Sequence, residues 1–204
     1  MSTDSSTPSR TTWRTALPQL KGPTVTLREP RPEDVGPIID LLATSDGSRF
    51  GLDDGATGDL AAAQLIDRAQ AERAQGQSFT YVVALTTVPQ VVGLIQVRSL
   101  DPVFETAEWE ATMLPSARGT GLFMEAARLV GAFTFGTLGA NRIESRVLLQ
   151  NGRGNGALRK LGAVQEGVLR RAVRQHGRYL DVVLWSLLRD DWGHPWMSAS
   201  PRVH

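Results

Sequence analysis

Six residues near mid-chain, Arg118-Gly119-Thr120-Gly121-Leu122-Phe123, stand between an alternating stretch, Glu108 to Leu114, and an apolar run at helical spacing that extends to Leu138. A strand that turns through glycines into a helix leaves the first backbone N–H groups of that helix without intrahelical partners. They aim at one spot where the helix dipole is positive, and such a spot holds an anion. Two glycines suit it, because a β-carbon would keep a bulky phosphate off the main chain and because the turn calls for positive φ. A diphosphate is the natural guest, gripped by backbone groups of Arg118, Gly119, Thr120, Gly121, Leu122 and Phe123. The same residues also suit a glycine loop with no ligand, so the rest of the chain has to decide.

Neighbouring residues exclude two other nucleotide cradles. The dinucleotide fingerprint needs a third glycine where Met124 stands and a parallel βαβ unit around it, and a P-loop needs Gly-Lys-Ser/Thr after the turn. Of the three histidines, His194 and His204 fall in the C-terminal stretch and His176 sits alone beside a turn, so no metal site is expected. The chain has no cysteine, which removes disulfides, thiolate zinc sites and a cysteine nucleophile together. Any acyl transfer must therefore proceed without an enzyme thioester.

A chain of 204 residues suits one domain with a substantial core. Residues 1–22 are rich in Ser, Thr and Pro and read as a flexible tail, with Trp13 and Leu17 as candidates to dock. The domain is expected over 23–192, closing at Trp192, with a C-terminal tail over 193–204. No apolar run approaches the ~20 residues of a membrane span, and Met1 to Arg10 lacks the apolar core of a secretory signal, so a cytoplasmic protein without a membrane partner is expected.

Periodicity orders the elements. Thr24 to Arg28 alternates as a strand. Glu33 to Leu42 is helical, with Pro37 either delaying its start or bending it. Ser45 to Gly58 reads as loop. Asp59 to Gln75 is a second helix with Leu60, Ala63, Ile66 and Ala69 on its apolar side and Gly76 closing it. Phe79 to Leu85 and Val91 to Val97 form a hairpin, and Glu108 to Leu114 extends it to a meander. After the helix from Leu122 to Leu138 come a strand, Arg142 to Leu149, and a short helix, Gly154 to Leu161. Two more strands follow, Ala163 to Arg171 and Tyr179 to Leu188. The fold class is α+β, a mixed and mostly antiparallel sheet flanked by helices.

The net charge of +1 hides an asymmetry: residues 28–110 hold 6 basic and 14 acidic side chains, and residues 111–178 hold 11 basic and 3 acidic. On opposite sides of one cleft, these halves would suit a phosphorylated ligand and a cationic one. Nucleic acid is not expected, since the basic residues are spread over several elements without an aromatic-interleaved stripe.

Four stretches together resemble the GNAT superfamily of N-acetyltransferases, and within it the ribosomal-protein alanine N-acetyltransferase branch. They are Thr26-Leu27-Arg28 leading to Arg31-Pro32-Glu33-Asp34; Ala107-Glu108 with Pro115 and Arg118-Gly119-Thr120-Gly121; Asn141-Arg142-Ile143-Glu144 with Asn151 and Leu158-Arg159-Lys160-Leu161-Gly162-Ala163; and Gly167-Val168-Leu169-Arg170 with Gly177-Arg178 and Asp181. The resemblance implies the acyl-CoA N-acyltransferase fold. It implies acetyl-CoA as co-substrate with its pyrophosphate on the glycine turn, and Met113 and Leu114 offering backbone groups to the pantetheine arm. It further implies Asn151 on the far side of the cofactor and, on resemblance alone, a homodimer. The acceptor would be a small-molecule or peptide amine that attacks the thioester directly. Three positions depart from the family pattern: Phe123 where Gly or Ala is usual, Met124 where a small hydroxyl residue often helps hold phosphate, and Gly154 in place of a serine placed to protonate the leaving thiolate.

Glu108 and Glu110 lie two apart on one strand and so share a face. If that face lines the cleft, partial burial and mutual repulsion would fit one of them to accept a proton from an ammonium, and the resemblance puts Glu110 first, since its position in the family is usually small and that of Glu108 structural. Tyr179 is the remaining candidate for the acid. A non-catalytic acyl-CoA-binding module and a scaffold whose site Phe123 has closed remain as alternatives.

Overall fold

The computed structural model describes residues 12–44, 57–175 and 177–193. Within them eight strands form one sheet: β1 (Leu20–Lys21), β2 (Val25–Arg28), β3 (Ser78–Leu85), β4 (Val91–Ser99), β5 (Thr106–Met113), β6 (Arg142–Leu148), β7 (Val164–Gln175) and β8 (Arg178–Leu188). Their spatial order is β1-β2-β3-β4-β5-β6-β8-β7. Every pairing is antiparallel except that of β5 with β6.

Among the described residues four α-helices flank the sheet: α1 (Val35–Leu42), α2 (Gly58–Gln75), α3 (Leu122–Ala132) and α4 (Gly152–Lys160). Helix α1 starts late, after a 3₁₀ turn over Pro32–Asp34, so that Pro37 falls in the first helical turn, where its missing N–H costs no bond. Helix α3 runs on into a π-helical stretch, Phe133–Leu138, as the expected length to Leu138 requires.

Two cores follow from strand alternation. One face of β3 and β4 presents Val82, Val91 and Leu94 to Ile38 and Leu41 of α1 and Leu65 and Ile66 of α2. On α2 the buried residues are Ala61, Ala62, Leu65, Ile66 and Ala69, whereas Leu60 is 60% exposed, so the expected stripe is turned by about one residue. The opposite face packs Phe79, Ile95, Trp109 and Trp185 against Ala126 and Val130 of α3, Phe133, and Leu158 of α4.

The expected N-terminal tail is shorter than the composition suggests. Trp13 is buried within this second core, Leu17 and Leu20 pack on it, and the Tyr81 hydroxyl donates to Pro18 O at 2.9 Å. Strand β1, which sequence reading missed, pairs Leu20 with Leu27. The folded unit thus reaches back at least to residue 12; residues 1–11, the 45–56 part of the expected loop, His176 and residues 194–204 lie outside the described residues.

Glu125, in the first turn of α3, ties that helix to β2. Its carboxylate accepts from Thr24 N at 2.8 Å, Val25 N at 3.1 Å and the Thr24 hydroxyl. A β-carbon on Gly22 would stand 2.2 Å from Glu125 Oε1, so a side chain there would push the carboxylate off its donors. Burial pushes the Glu125 carboxyl up, and the donors from Thr24 and Val25 outweigh it and hold it below its ordinary value. A depressed folded-state value adds stability above the unfolded-state value, and that stability is lost as pH falls through the folded one. In chemical denaturation, wild type and Glu125→Gln should therefore differ most above pH 4.5 and converge below it. A constant gap down the acid side would contradict this.

Candidate active site

The parallel ladder between β5 and β6 has three rungs, Thr106↔Arg142, Ala107↔Ile143 and Glu108↔Glu144, and then stops. Beyond it β5 keeps its pairing to β4 as far as Gly93↔Met113, and β6 keeps its pairing to β8 as far as Leu148↔Val182. The two strands part like a fork, and a cleft of about 930 Å³ opens between them, continued by the glycine turn and α4.

Leu114 donates its N–H to Val92 O at 2.9 Å and accepts from Ala117 N at 3.0 Å. Its N–H is committed to β4, which removes the Leu114 amide as a donor to a ligand. The same bond fixes the alternation along β5, so the main-chain groups of Trp109, Ala111 and Met113 point away from β4 into the fork. Met113 stays a cleft residue, its carbonyl held by Arg118 Nε at 3.1 Å.

The turn adopts the expected form. Gly119 has φ +80 and Gly121, the N-cap of α3, has φ +89, conformations that L side chains rarely take. Thr120 Oγ1 donates to Ala117 O at 2.6 Å and braces the turn. Two of the expected amides are engaged internally: Arg118 N bonds Pro115 O at 3.3 Å and Leu122 N meets Thr120 Oγ1 at 3.4 Å. The N–H groups of Gly119, Thr120, Gly121, Phe123 and Met124 have no hydrogen-bond partner among the described residues. Nothing lies within 4 Å of where β-carbons on Gly119 and Gly121 would stand. Five unmatched donors around open space at the positive end of α3 form an anion cradle. Phe123 and Met124 pack against the core and line the cleft wall without filling it. The reading in which Phe123 shuts the site does not hold.

Cleft walls carry the cations Arg118, Arg146, Arg153 and Lys160 and the carboxylate Glu110, a balance that suits a polyanionic ligand with a cationic one beside it. Asn151 lines the cleft and caps α4, its Oδ1 accepting from Gly154 N at 2.9 Å. A β-carbon at Gly154 would come within 3.0 Å of Asn151 Nδ2 and 3.1 Å of Val147 Cγ1, so a serine there would press on that cap.

The two candidate bases separate. Glu110 is half-buried and lines the cleft. Glu108 is 2% exposed and ion-paired on both oxygens: Oε2 with Arg98, whose Nε stands at 2.8 Å, and Oε1 with Arg146 Nη1 at 2.5 Å. Buried between two guanidinium groups and absent from the cleft lining, Glu108 serves as a structural ion-pair partner and drops out as a candidate base. Tyr179 is also displaced. It is 55% exposed near the end of the β7–β8 hairpin, with Arg171 at 4.9 Å and Arg174 at 6.0 Å from its ring centre, and it does not line the cleft.

Sequence reading missed Ser145, Arg146, Gln150, Arg153 and Lys160 as cleft residues. For Arg146 a signal existed, since it stands two residues after Glu144 and so on the same side of a strand. Ser145 and Val147 follow the opposite alternation, toward the face that α3 and α4 cover. Among the described residues no cluster of His, Asp and Glu could hold a metal, and no helix is long and apolar enough to cross a membrane.

Residues 24–164 match the acetyltransferase (GNAT) domain family. A putative ribosomal N-acetyltransferase, YdaF, of Bacillus subtilis (strain 168) is 27% identical over 100 residues, covering 49% of this chain and 55% of that protein. The match thus spans little more than half of that relative. RimJ of Mycobacterium smegmatis, solved in complex with CoA-disulfide, has a similar fold at a TM-score of 0.74 and 19% identity, over 85% of this chain and 88% of that one. A chimera of the Vibrio cholerae spermidine N-acetyltransferase SpeG and hSSAT does so at 0.68 and 19%, over 82% and 97%. With a strand fork, a glycine turn at the N-terminus of α3 and a family match over more than half its length, the chain belongs to the GNAT acetyltransferase family.

Proposed function

We propose that this protein is an N-acetyltransferase that moves an acetyl group from acetyl-CoA to a primary amine by direct attack. The observation that carries this reading is the cradle of five unmatched amides at the mouth of a fork whose wall bears Glu110. Acetyl-CoA would supply the activated acyl thioester. Gly119, Thr120, Gly121, Phe123 and Met124 would bind its diphosphate through N–H groups, with Arg118 bracing the turn against β5 and Asn151 flanking from α4. Trp109, Ala111 and Met113 turn main-chain groups toward the arm, and an N–H among them is placed to stabilise the tetrahedral oxyanion. Glu110 accepts the proton of the acceptor ammonium, directly or through water. Where the family serine is replaced by Gly154, the Ser145 hydroxyl on the cleft wall is the group offered to the leaving thiolate.

The acidic first half and Glu110 favour a cationic acceptor. The names of similar proteins, a ribosomal-protein-S5-alanine acetyltransferase and a spermidine N-acetyltransferase, suggest a ribosomal protein and a polyamine; an aminoglycoside is a third. Cytoplasmic placement and a homodimer belong to the same proposal, on family likeness alone.

Thiol release from acetyl-CoA with peptide, polyamine and aminoglycoside acceptors tests the reading, alongside calorimetry with CoA. Turnover on at least one amine is expected. Tight CoA binding with no turnover on any amine would establish the non-catalytic module instead, and absence of heat at high CoA would sink both. Gly121→Ala should weaken CoA binding by roughly tenfold, since a side chain at φ +89 costs about 1–2 kcal/mol and its methyl group enters the cradle.

A further inference from the structure

The last backbone rung between β5 and β6 is Glu108↔Glu144, and the next link between the two strands is a side chain. Arg146 projects from the first part of the open fork, with Nη1 on Glu108 Oε1 at 2.5 Å and Nη2 on Glu144 Oε2 at 3.1 Å. One planar group thus grips a carboxylate on each prong. The β5 carboxylate is 2% exposed and cannot move away from its cations without leaving a buried charge unpaired. Arg98 holds the other oxygen of Glu108 from β4, and Arg142 and Glu166 extend the chain of charges beyond Glu144 to β7. Arg146 also lines the cleft itself.

We infer that Arg146 is a positioning residue, a strut at the base of the fork that sets the separation of β5 and β6 and so the width of the slot that receives the pantetheine arm. This rests on the proposed acetyl-CoA-dependent reading. Paired strands lie about 4.8 Å apart, a spacing too narrow for a ligand between them. Two prongs released from that spacing need a new fixed distance, or the main-chain groups of Trp109, Ala111 and Met113 meet the ligand in no single geometry. A guanidinium supplies it, because its donors form a rigid fork that a lysine ammonium cannot reproduce. Arg142 makes a similar two-carboxylate grip, on Glu144 and Glu166, but it stands at a rung where the backbone ladder is still closed.

The test compares Arg146→Lys with Arg142→Lys in the full chain. Each keeps its positive charge and loses a two-pronged grip, so both should lower the unfolding midpoint to a similar extent. CoA affinity by calorimetry should fall roughly tenfold for Arg146→Lys, about 1.4 kcal/mol, and stay at the wild-type value for Arg142→Lys. Because removing the charge could unfold the chain, the paired variant Glu108→Gln with Arg146→Met, which leaves no buried anion unmatched by Arg146, gives a second reading and should show the same weakened binding. Equal CoA affinity of the two lysine variants overturns the strut. A wild type that binds no CoA overturns the acetyltransferase reading instead, so the two failures are distinct.

Discussion

Glu110→Gln should lower the turnover number on the amine acceptor by about 10²–10⁴-fold, the contribution of a positioned general base, while CoA affinity is retained. The amide keeps the size of the carboxylate but loses its charge, one acceptor oxygen and its ability to take a proton. Glu110 stands two residues past Glu108 on the same side of β5, at a level where β6 has left, and it lines the cleft. Because a base must be ionised, wild-type turnover should decline toward acid pH, and that limb should flatten in Glu110→Gln. Glu108→Gln serves as the contrast. It unbalances Arg98 and Arg146, so its effect should appear in stability and CoA affinity. Full turnover by Glu110→Gln with an unchanged pH profile would remove Glu110 from the mechanism and leave the diphosphate cradle standing.

What the sequence made legible was local. The glycine turn could be placed because a strand, two residues needing positive φ and a helix start lie within one short stretch, and Gly119 and Gly121 have the expected φ. The hairpin of β3 and β4 was readable because both strands and their turn lie close in sequence, whereas Pro37 left a late start and a bend of α1 equally open. Glu108 was not readable, because its partners Arg98 and Arg146 lie 10 and 38 residues away and nothing in either neighbourhood marks them as a pair. That the Leu114 N–H turns to β4 was not legible either, because its direction depends on register with β4, which alternation along β5 alone does not give. Amphipathic phase along α2 drifted, since a helix rich in alanine offers small residues to bury on several sides. The family resemblance named the turn and the fold and put Glu110 ahead of Glu108; it did not tell which cations hold Glu108.

Trp13→Ala should destabilise the protein by about 3–5 kcal/mol in urea denaturation, the cost of emptying a buried aromatic site. In a domain of this size that corresponds to a fall of about 6–20 °C in Tm. The indole is 4% exposed and meets Phe79 edge-on at 5.8 Å and Phe104 at 5.6 Å. Phe79 in turn contacts Phe133 at 5.3 Å, at the start of the π-helical stretch that continues α3. The N-terminal segment is therefore part of the packing beneath the helix whose first turn carries the anion cradle. Arg73 fastens it from the other side, donating to Arg14 O and pairing with Glu29 through Nε at 2.5 Å. Trp13→Phe, which keeps an aromatic ring in the same site, should cost distinctly less than Trp13→Ala. A Trp13→Ala variant within about 0.5 kcal/mol of wild type, the range of an ordinary surface substitution, would mean that the segment before β1 is not part of the core and that the domain begins where composition alone would start it.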